Sequence, residues 1–429
     1  MTNLYITKSP KLAGRIKAPP SKAYTHRALI TALLSDGASE IYDPLICDDT
    51  VATLEACEAF GASVKPKLNK IVVKGSLHLK TPDDAINCRE SGSTIRFMTP
   101  IAALPSGITI LTGGSSLRRR PIGELLEALS KLGVKCYSTR EDGYPPVVVF
   151  GGGIQGGETS IVGHVSSQYV SGLLFACPRA SKDTEIHVVT PLESKSYVKL
   201  TMEVLATQGI QIEASPNLQK FHIPAQQMYA PSDYKIPGDY SSAAFLLAAG
   251  AITKSKVVLT NLSKKTTQAD VAIIQILQEM GVNIKVEENS VEIDGGNRLK
   301  NFSLDASATP DLVPVCAVLA CYAEGQTRIS HAKRLRIKES DRLSATRSEL
   351  TKMGANITET KDGLLIQGPS KLRGCEIDPH NDHRIAMACA AAALGAGGVT
   401  IIKDSQCINK SYPQFVHDLK NLGAKVYVR

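Results

Sequence analysis

The chain contains no Trp and only 5% aromatic residues, and none of its ten Cys forms a C-x-x-C pair. The missing pair excludes a thiolate zinc ribbon and a thioredoxin-like motif. Isolated Cys in apolar runs, such as Cys177, Cys316, Cys321 and Cys389, are expected to be reduced and buried, as in a cytoplasmic protein. Long apolar runs are also lacking. The one long uncharged stretch, Ile385 to Ile402, is mostly Ala and is broken by Gly395, Gly397 and Gly398, so it reads as a buried helix, a turn and a strand. The opening MTNLYITKSP has no basic-then-apolar-then-small order, and neither a signal peptide nor a transit segment is expected.

What is present is ample core material. Across 429 residues, 43% are hydrophobic and 21% charged, which rules out wholesale disorder, a collagen-like repeat and a small disulfide-stapled scaffold. The length alone suggests two or three domains. The net charge of +8 is compatible with nucleic acid, acidic lipid or an anionic small molecule, so charge placement must decide.

A pattern recurs at roughly seventy-residue spacing. A helical periodicity ends in an apolar or amide residue, then Gly, then an alternating strand-like segment, at Gly61, Gly133, Gly209, Gly281, Gly354 and Gly423. Each Gly stands where a helix needs a left-handed cap. One such site would mean nothing; six at near-constant spacing point to copies of a small α/β unit around shared cores. Pro, Gly and charge cluster at 17–20 and 232–239, which read as crossings between two lobes of three copies each.

Basic residues sit at expected helix starts rather than in blocks. Lys22 and Arg27 flank the start in Pro20-Ser21-Lys22-Ala23-Tyr24-Thr25-His26-Arg27, where free N–H groups favour an anion, although two solvated charges on a turn would look the same. Glu90-Ser91-Gly92-Ser93-Thr94-Ile95-Arg96 lacks the Lys-Ser/Thr ending of a P-loop and is either an anion-approaching loop or an ordinary capped helix. Arg118, Arg119 and Arg120 precede Pro121, which suits a first helical position, and no aromatics interleave them. Lys338 and Arg342, four apart, are expected to share a helix face beside Glu339. Asp382-His383-Arg384 and Lys410-Ser411-Tyr412-Pro413 complete the set. Asp311 precedes an apolar run: it is either an early-helix carboxylate or a base whose pKa burial raises. Val165-Ser166-Ser167-Gln168-Tyr169 and Ser194-Lys195-Ser196-Tyr197 either cap helices or orient a polyhydroxylated ligand.

From SKAYTHR (21–27) through RPIGEL, SSQ, IKESDRL and NDHR to NKSYP (409–413), the chain resembles the 5-enolpyruvylshikimate-3-phosphate synthase family. The resemblance implies an α/β (α+β) enolpyruvyl transferase fold: six βαβαββ repeats, three per lobe, in an inverse α/β barrel-like arrangement with the active site between the lobes. Residues 1–17 plus 235–429 would form one lobe, carrying donor and acid/base residues, and 18–234 the other, mainly binding 3-phosphoshikimate. The first strand would thus join the carboxyl-half lobe.

By the family pattern, Lys22, Arg27, Ser166, Ser167, Gln168, Ser194, Tyr197, Asp311 and Lys338 would hold 3-phosphoshikimate, and Lys22, Gly92, Arg120, Gln168, Glu339, Arg342, His383, Arg384 and Lys410 would surround phosphoenolpyruvate. Asp311 would be the base for the 5-hydroxyl, with Lys22 and Glu339 exchanging the proton at C3. Lobe closure would exclude water. No metal or cofactor is implied, and a cytoplasmic monomer with neither nucleic-acid nor membrane partners is expected. Ala23, Glu90 and Arg334 depart from the family's usual Ser, Asn and Asn, which bears on affinity and inhibitor response. The alternatives are a UDP-N-acetylglucosamine enolpyruvyl transferase, whose loop typically carries a Cys absent from Leu117–Pro121, and a nucleic-acid-binding protein using Arg118 to Arg120.

Overall fold

In this computed structural model, which describes residues 2–9, 11–296 and 298–429, the six repeated Gly end their helices in one way. All six have positive φ, from 79° to 102°. Gly61 N–H donates to Glu58 O at 2.9 Å and Ala62 N–H to Cys57 O at 3.0 Å; Gly423 and Ala424 repeat this onto Lys420 and Leu419. This double closure is the Schellman arrangement, and its apolar follower (Ala62, Val134, Ile210, Val282, Ala355 or Ala424) is buried each time.

The strands form six four-stranded sheets among the described residues. One repeat shows the plan: strand Ile86–Asn87, helix Gly92–Ile101, strand Ile108–Thr112, helix Gly123–Lys131, then strands Cys136–Ser138 and Val147–Phe150. The first two strands pair in parallel (Ile86 with Leu111), the fourth runs antiparallel to the second (Ile108 with Phe150), and the third pairs antiparallel at the edge (Cys136 with Val149). This is βαβαββ, and all six sheets share its strand order once remote strands are counted.

Three remote strands complete the pattern. Tyr234–Lys235 lies parallel to Ala38–Tyr42, and Ala13–Lys17 lies parallel to Lys256–Thr260. Leu4–Thr7 runs antiparallel between Val399–Ile402 and Val426–Val428. The opening segment therefore supplies two strands to two different sheets, not one as the sequence suggested. Ser9 separates them, its N–H held by Leu394 O and its hydroxyl accepting from Lys425 N–H.

The chain divides into two compact units, Met1–Pro20 with Pro237–Arg429, and Ser21–Ile236. Each has its own core. In the first, helices Tyr240–Ile252, Val313–Tyr322 and His383–Gly395 are buried almost end to end and pack against one another. Helices apolar on every side have no face for water. Small residues set their spacing: a Cβ on Gly395 would meet Ile252 and the Tyr322 hydroxyl at 2.7 Å. In the second unit, Gly92–Ile101 packs on Ser167–Ala176, and a Cβ on Gly172 would stand 2.5 Å from Arg96 O. The stretch 385–402 is the expected helix, turn and strand Val399–Ile402.

Two local expectations are corrected. Pro121 lies outside its helix, which begins at Gly123 after Ile122, because Arg120 is extended as it leaves the turn Leu117–Arg119. Lys338 and Arg342 do not share a helix face: Asp341 caps a helix that starts at Arg342, and Lys338 is extended after the turn Lys333–Ile337.

Candidate active site

The inner helices of each unit bring their amino termini together, and most of the singled-out residues stand at those ends. In the 21–236 unit, Ser21, Ser91 and Ser166 occupy the N-cap positions of Lys22–Leu34, Gly92–Ile101 and Ser167–Ala176. Ser91 Oγ accepts from Thr94 N–H at 3.2 Å and Ser166 Oγ from Gln168 N–H at 3.3 Å. Unused N–H groups and the helix dipole make such ends favourable for anions.

Cations surround these ends. Lys22 Nζ donates to Asp49 Oδ2 at 2.7 Å. Arg27 is buried inside its helix, donating to Thr201 Oγ1 at 2.8 Å, Ala23 O at 2.8 Å and Tyr197 O at 3.0 Å, with its guanidinium over the Phe97 ring. Burial pushes it down to about 10 from 12.5. Arg96 donates to Gln168 Oε1 at 2.8 Å, and Gln168 Nε2 to Ser93 Oγ at 2.8 Å. A Cβ on Gly92 would lie 3.0 Å from an Arg120 nitrogen and 3.5 Å from an Arg96 nitrogen, so a side chain there would fill the space the two arginines share. Arg120 is buried and donates to Ser116 Oγ, whereas Arg118 and Arg119 are exposed, so the three do not form one surface patch. Ser167 is buried at its helix start, and Ser194, in a left-handed conformation, occupies the N-cap position of the helix carrying Tyr197.

In the other unit the caps are acidic: Asp239 for Tyr240–Ile252 and Asp382 for His383–Gly395, while Asp311 lies on the turn Pro310–Leu312 leading into Val313–Tyr322. Arg342, 1% exposed, joins three carboxylates. It donates to Asp382 Oδ2 at 2.8 Å, Asp311 Oδ1 at 2.8 Å and Glu339 Oε2 at 2.6 Å. Arg384 donates to Asp311 Oδ2 at 3.0 Å and to Asp311 O at 3.3 Å. Lys410 Nζ donates to Asn381 O at 2.5 Å, and buried His383 stands next to Asp382.

These contacts decide between the two readings of Asp311. Burial does press Asp311 toward the neutral form, but Arg384, Arg342 and Lys338 outweigh it and hold its carboxyl well below the usual range. Lys338, by contrast, is pushed down to about 8 by burial, with Asp311 opposing.

The departures have local roles. Glu90 Oε2 accepts from Leu117 N–H at 2.8 Å and so anchors the turn before Arg120. Buried Arg334 donates to Ser307 O, and Ala23 offers Arg27 only its carbonyl. Sequence reasoning passed over Arg96, Asp49, Thr201 and Asp382 as site residues. Arg96 and Asp382 lie within motifs already singled out, but nothing local marks Asp49 or Thr201, whose partners are far away in the chain.

A separate cavity of about 590 Å³, lined by residues including Glu55, Glu58, Lys80, Asp83 and Asp84, contains none of these side chains. All ten Cys are unpaired, eight of them buried. Among the described residues, no group of three or more His, Cys, Asp or Glu is placed to hold a metal ion, and no helix is long and apolar enough to cross a membrane.

Known proteins resemble this chain over nearly all of its length. The family model for EPSP synthase (3-phosphoshikimate 1-carboxyvinyltransferase) matches residues 6–419. A 3-phosphoshikimate 1-carboxyvinyltransferase of Methanococcus maripaludis is 42% identical over 99% of this chain and 100% of its own, and one of Methanocella arvoryzae is 46% identical over 97% of each. A solved EPSP synthase structure from Acinetobacter baumannii superposes with a TM-score of 0.84 at 28% identity, covering 100% of both chains. With six βαβαββ repeats, three per unit, and a match of this extent, the chain belongs to the EPSP synthase (3-phosphoshikimate 1-carboxyvinyltransferase) family.

Proposed function

We propose that this protein transfers the enolpyruvyl group of phosphoenolpyruvate to the 5-hydroxyl of 3-phosphoshikimate, releasing phosphate, in the shikimate route to aromatic amino acids. The observation that carries the site assignment is Asp311 gripped by both Arg342 and Arg384. Both substrates are anions, and guanidinium forks suit phosphate and carboxylate.

The reading gives 3-phosphoshikimate to Arg27, Ser166, Ser167, Gln168, Ser194, Tyr197, Asp311 and Lys338, and phosphoenolpyruvate to Gly92, Arg120, Glu339, Arg342, His383, Arg384 and Lys410, with Lys22 and Gln168 serving both. The 5-hydroxyl attacks C2 of phosphoenolpyruvate, its proton passes to Asp311, and C3 takes a proton from Lys22 or Glu339. Loss of phosphate and of a C3 proton from the tetrahedral adduct then gives the enol ether. Cationic groups around the donor stabilise the phosphate that leaves.

While two arginines hold it, Asp311 is ionised but a poor base. An anionic donor that draws Arg384 toward itself removes one of those partners and raises the basicity of Asp311 as the complex forms. The base thus gains strength only when the donor is present, which protects against idle proton transfer.

The shikimate acceptor is favoured over UDP-N-acetylglucosamine by the full-length family match and by the absence of Cys from Leu117–Pro121. The reading also takes the protein to be a cytoplasmic monomer acting on small molecules without nucleic acid or membrane. The deciding assay is phosphate release with each substrate alone, with both, and with UDP-N-acetylglucosamine replacing the acceptor. Release is expected only with the shikimate pair, and equal turnover with the nucleotide sugar would overturn the assignment.

A further inference from the structure

Near Arg384 lies a carboxylate that the proposed chemistry does not use. Asp270, on the turn Ala269–Val271, is 2% exposed. Its Oδ2 accepts a hydrogen bond from the Ser241 hydroxyl, while Oδ1 has no hydrogen-bond partner among the described residues. Ser241 is the second residue of the helix Tyr240–Ile252. Its oxygen in turn accepts from Arg384 Nη2 at 3.4 Å, and that same nitrogen reaches Asp311 Oδ2 at 3.0 Å.

The order of donors matters. A serine hydroxyl has one hydrogen; once it is given to Asp270, only lone pairs remain to face Arg384. Without the carboxylate the hydroxyl could rotate and lose that orientation. Asp270 is a costly group to bury: desolvation first, then nearby Asp311, push its carboxyl up to about 7, while Arg384 and the Ser241 bond act against them. A buried carboxylate with one oxygen unpaired costs stability.

We propose that Asp270 is a positioning residue for the reaction: acting through Ser241, it keeps the Arg384 guanidinium aimed so that it can pass from Asp311 to the anionic donor. The proposal rests on the reading that Arg384 takes phosphoenolpyruvate. It assigns no contact with substrate to Asp270 itself. The Ser241 link gives Arg384 a second anchor that remains when the donor draws it from Asp311, so the guanidinium is steered rather than freed.

The test is steady-state kinetics on Ser241→Ala, Ser241→Thr, Asp270→Ala and the Ser241→Ala/Asp270→Ala double variant, with Arg384→Ala as control. Removing one hydrogen bond to a charged group predicts a rise in KM for phosphoenolpyruvate on the order of tenfold in Ser241→Ala and Asp270→Ala, with KM for 3-phosphoshikimate within about twofold. Ser241→Thr, which keeps the hydroxyl, is expected to restore near-native KM. The double variant is expected to be no worse than the worse single, because the two side chains act in series. If Arg384→Ala leaves KM for phosphoenolpyruvate unchanged, the donor assignment fails. If Arg384→Ala raises it but the Ser241 and Asp270 variants do not, or if they raise both KM values equally, the positioning role alone is overturned. Asp270→Ala removes a buried carboxylate that is costly to desolvate, so it tests the proposal even if Ser241→Ala folds poorly.

Discussion

Arg342 clasps Asp382 with two nitrogens, Nε to Oδ2 at 2.8 Å and Nη2 to Oδ1 at 3.3 Å, and both side chains are all but sealed from solvent. The pairing ties the start of the helix Arg342–Lys352 to the cap of His383–Gly395, and the remaining Arg342 nitrogen holds Asp311. Arg342→Met, which keeps bulk but removes charge, would leave three carboxylates without their shared cation. A loss of roughly 3–5 kcal/mol is expected, read from the urea midpoint. An unchanged midpoint would show that this network does not hold the unit together.

Asp311→Asn removes the proposed base while keeping the shape and one acceptor for the arginines. Turnover is expected to fall by about 10²–10⁴-fold. Near-native phosphate release in the presence of both substrates would remove Asp311 from its assigned role.

Lys338, pushed down to about 8, should lose its charge in the free protein as pH rises through that value. Its electrostatic hold on 3-phosphoshikimate is therefore present below about pH 8 and lost above it. The expected signature is a fall in kcat/KM for 3-phosphoshikimate on the alkaline side, with kcat falling only at higher pH because bound anion restores the proton. Lys338→Arg should move the limb upward, and an unmoved limb would assign it to another group.

His26 is buried, with Nδ1 2.7 Å from Thr53 Oγ1 and no partner for Nε2 among the described residues. Burial first, then Lys22 and Arg27, lower its pKa well below 6.5. The unfolded chain therefore binds a proton that the folded one refuses, and stability declines as pH falls below 6.5, by at most about 1.4 kcal/mol per pH unit. His26→Gln should flatten this dependence in denaturant titrations at several pH values. Parallel curves for the two proteins would refute the assignment.

Gly209 has φ 79° and nothing within 4 Å of where a Cβ would sit. Gly209→Ala should then cost only the left-handed strain, about 1–2 kcal/mol, without any clash. A neutral effect on thermal unfolding would mean that the helix end relaxes.

The amino acid sequence by itself determined the sixfold plan and much of the chemistry. A Gly stop after an amphipathic helix acts through backbone conformation within a few residues, so it can be read off the chain. Ser and Asp caps are equally local: Ser91, Ser166, Asp239 and Asp382 each accept from an N–H two or three residues on. The cations at helix starts, and the motifs joining them into a family, were legible for the same reason.

Tertiary structure decided what those charges do to each other. That Asp311 is held down by Arg342 and Arg384 rather than raised by its apolar neighbours, that Arg120 turns inward while Arg118 and Arg119 do not, and that Asp270 reaches Arg384 through Ser241 all depend on residues far apart in the chain. Coulomb energy falls with distance and rises with burial, and both are set only when the helices pack.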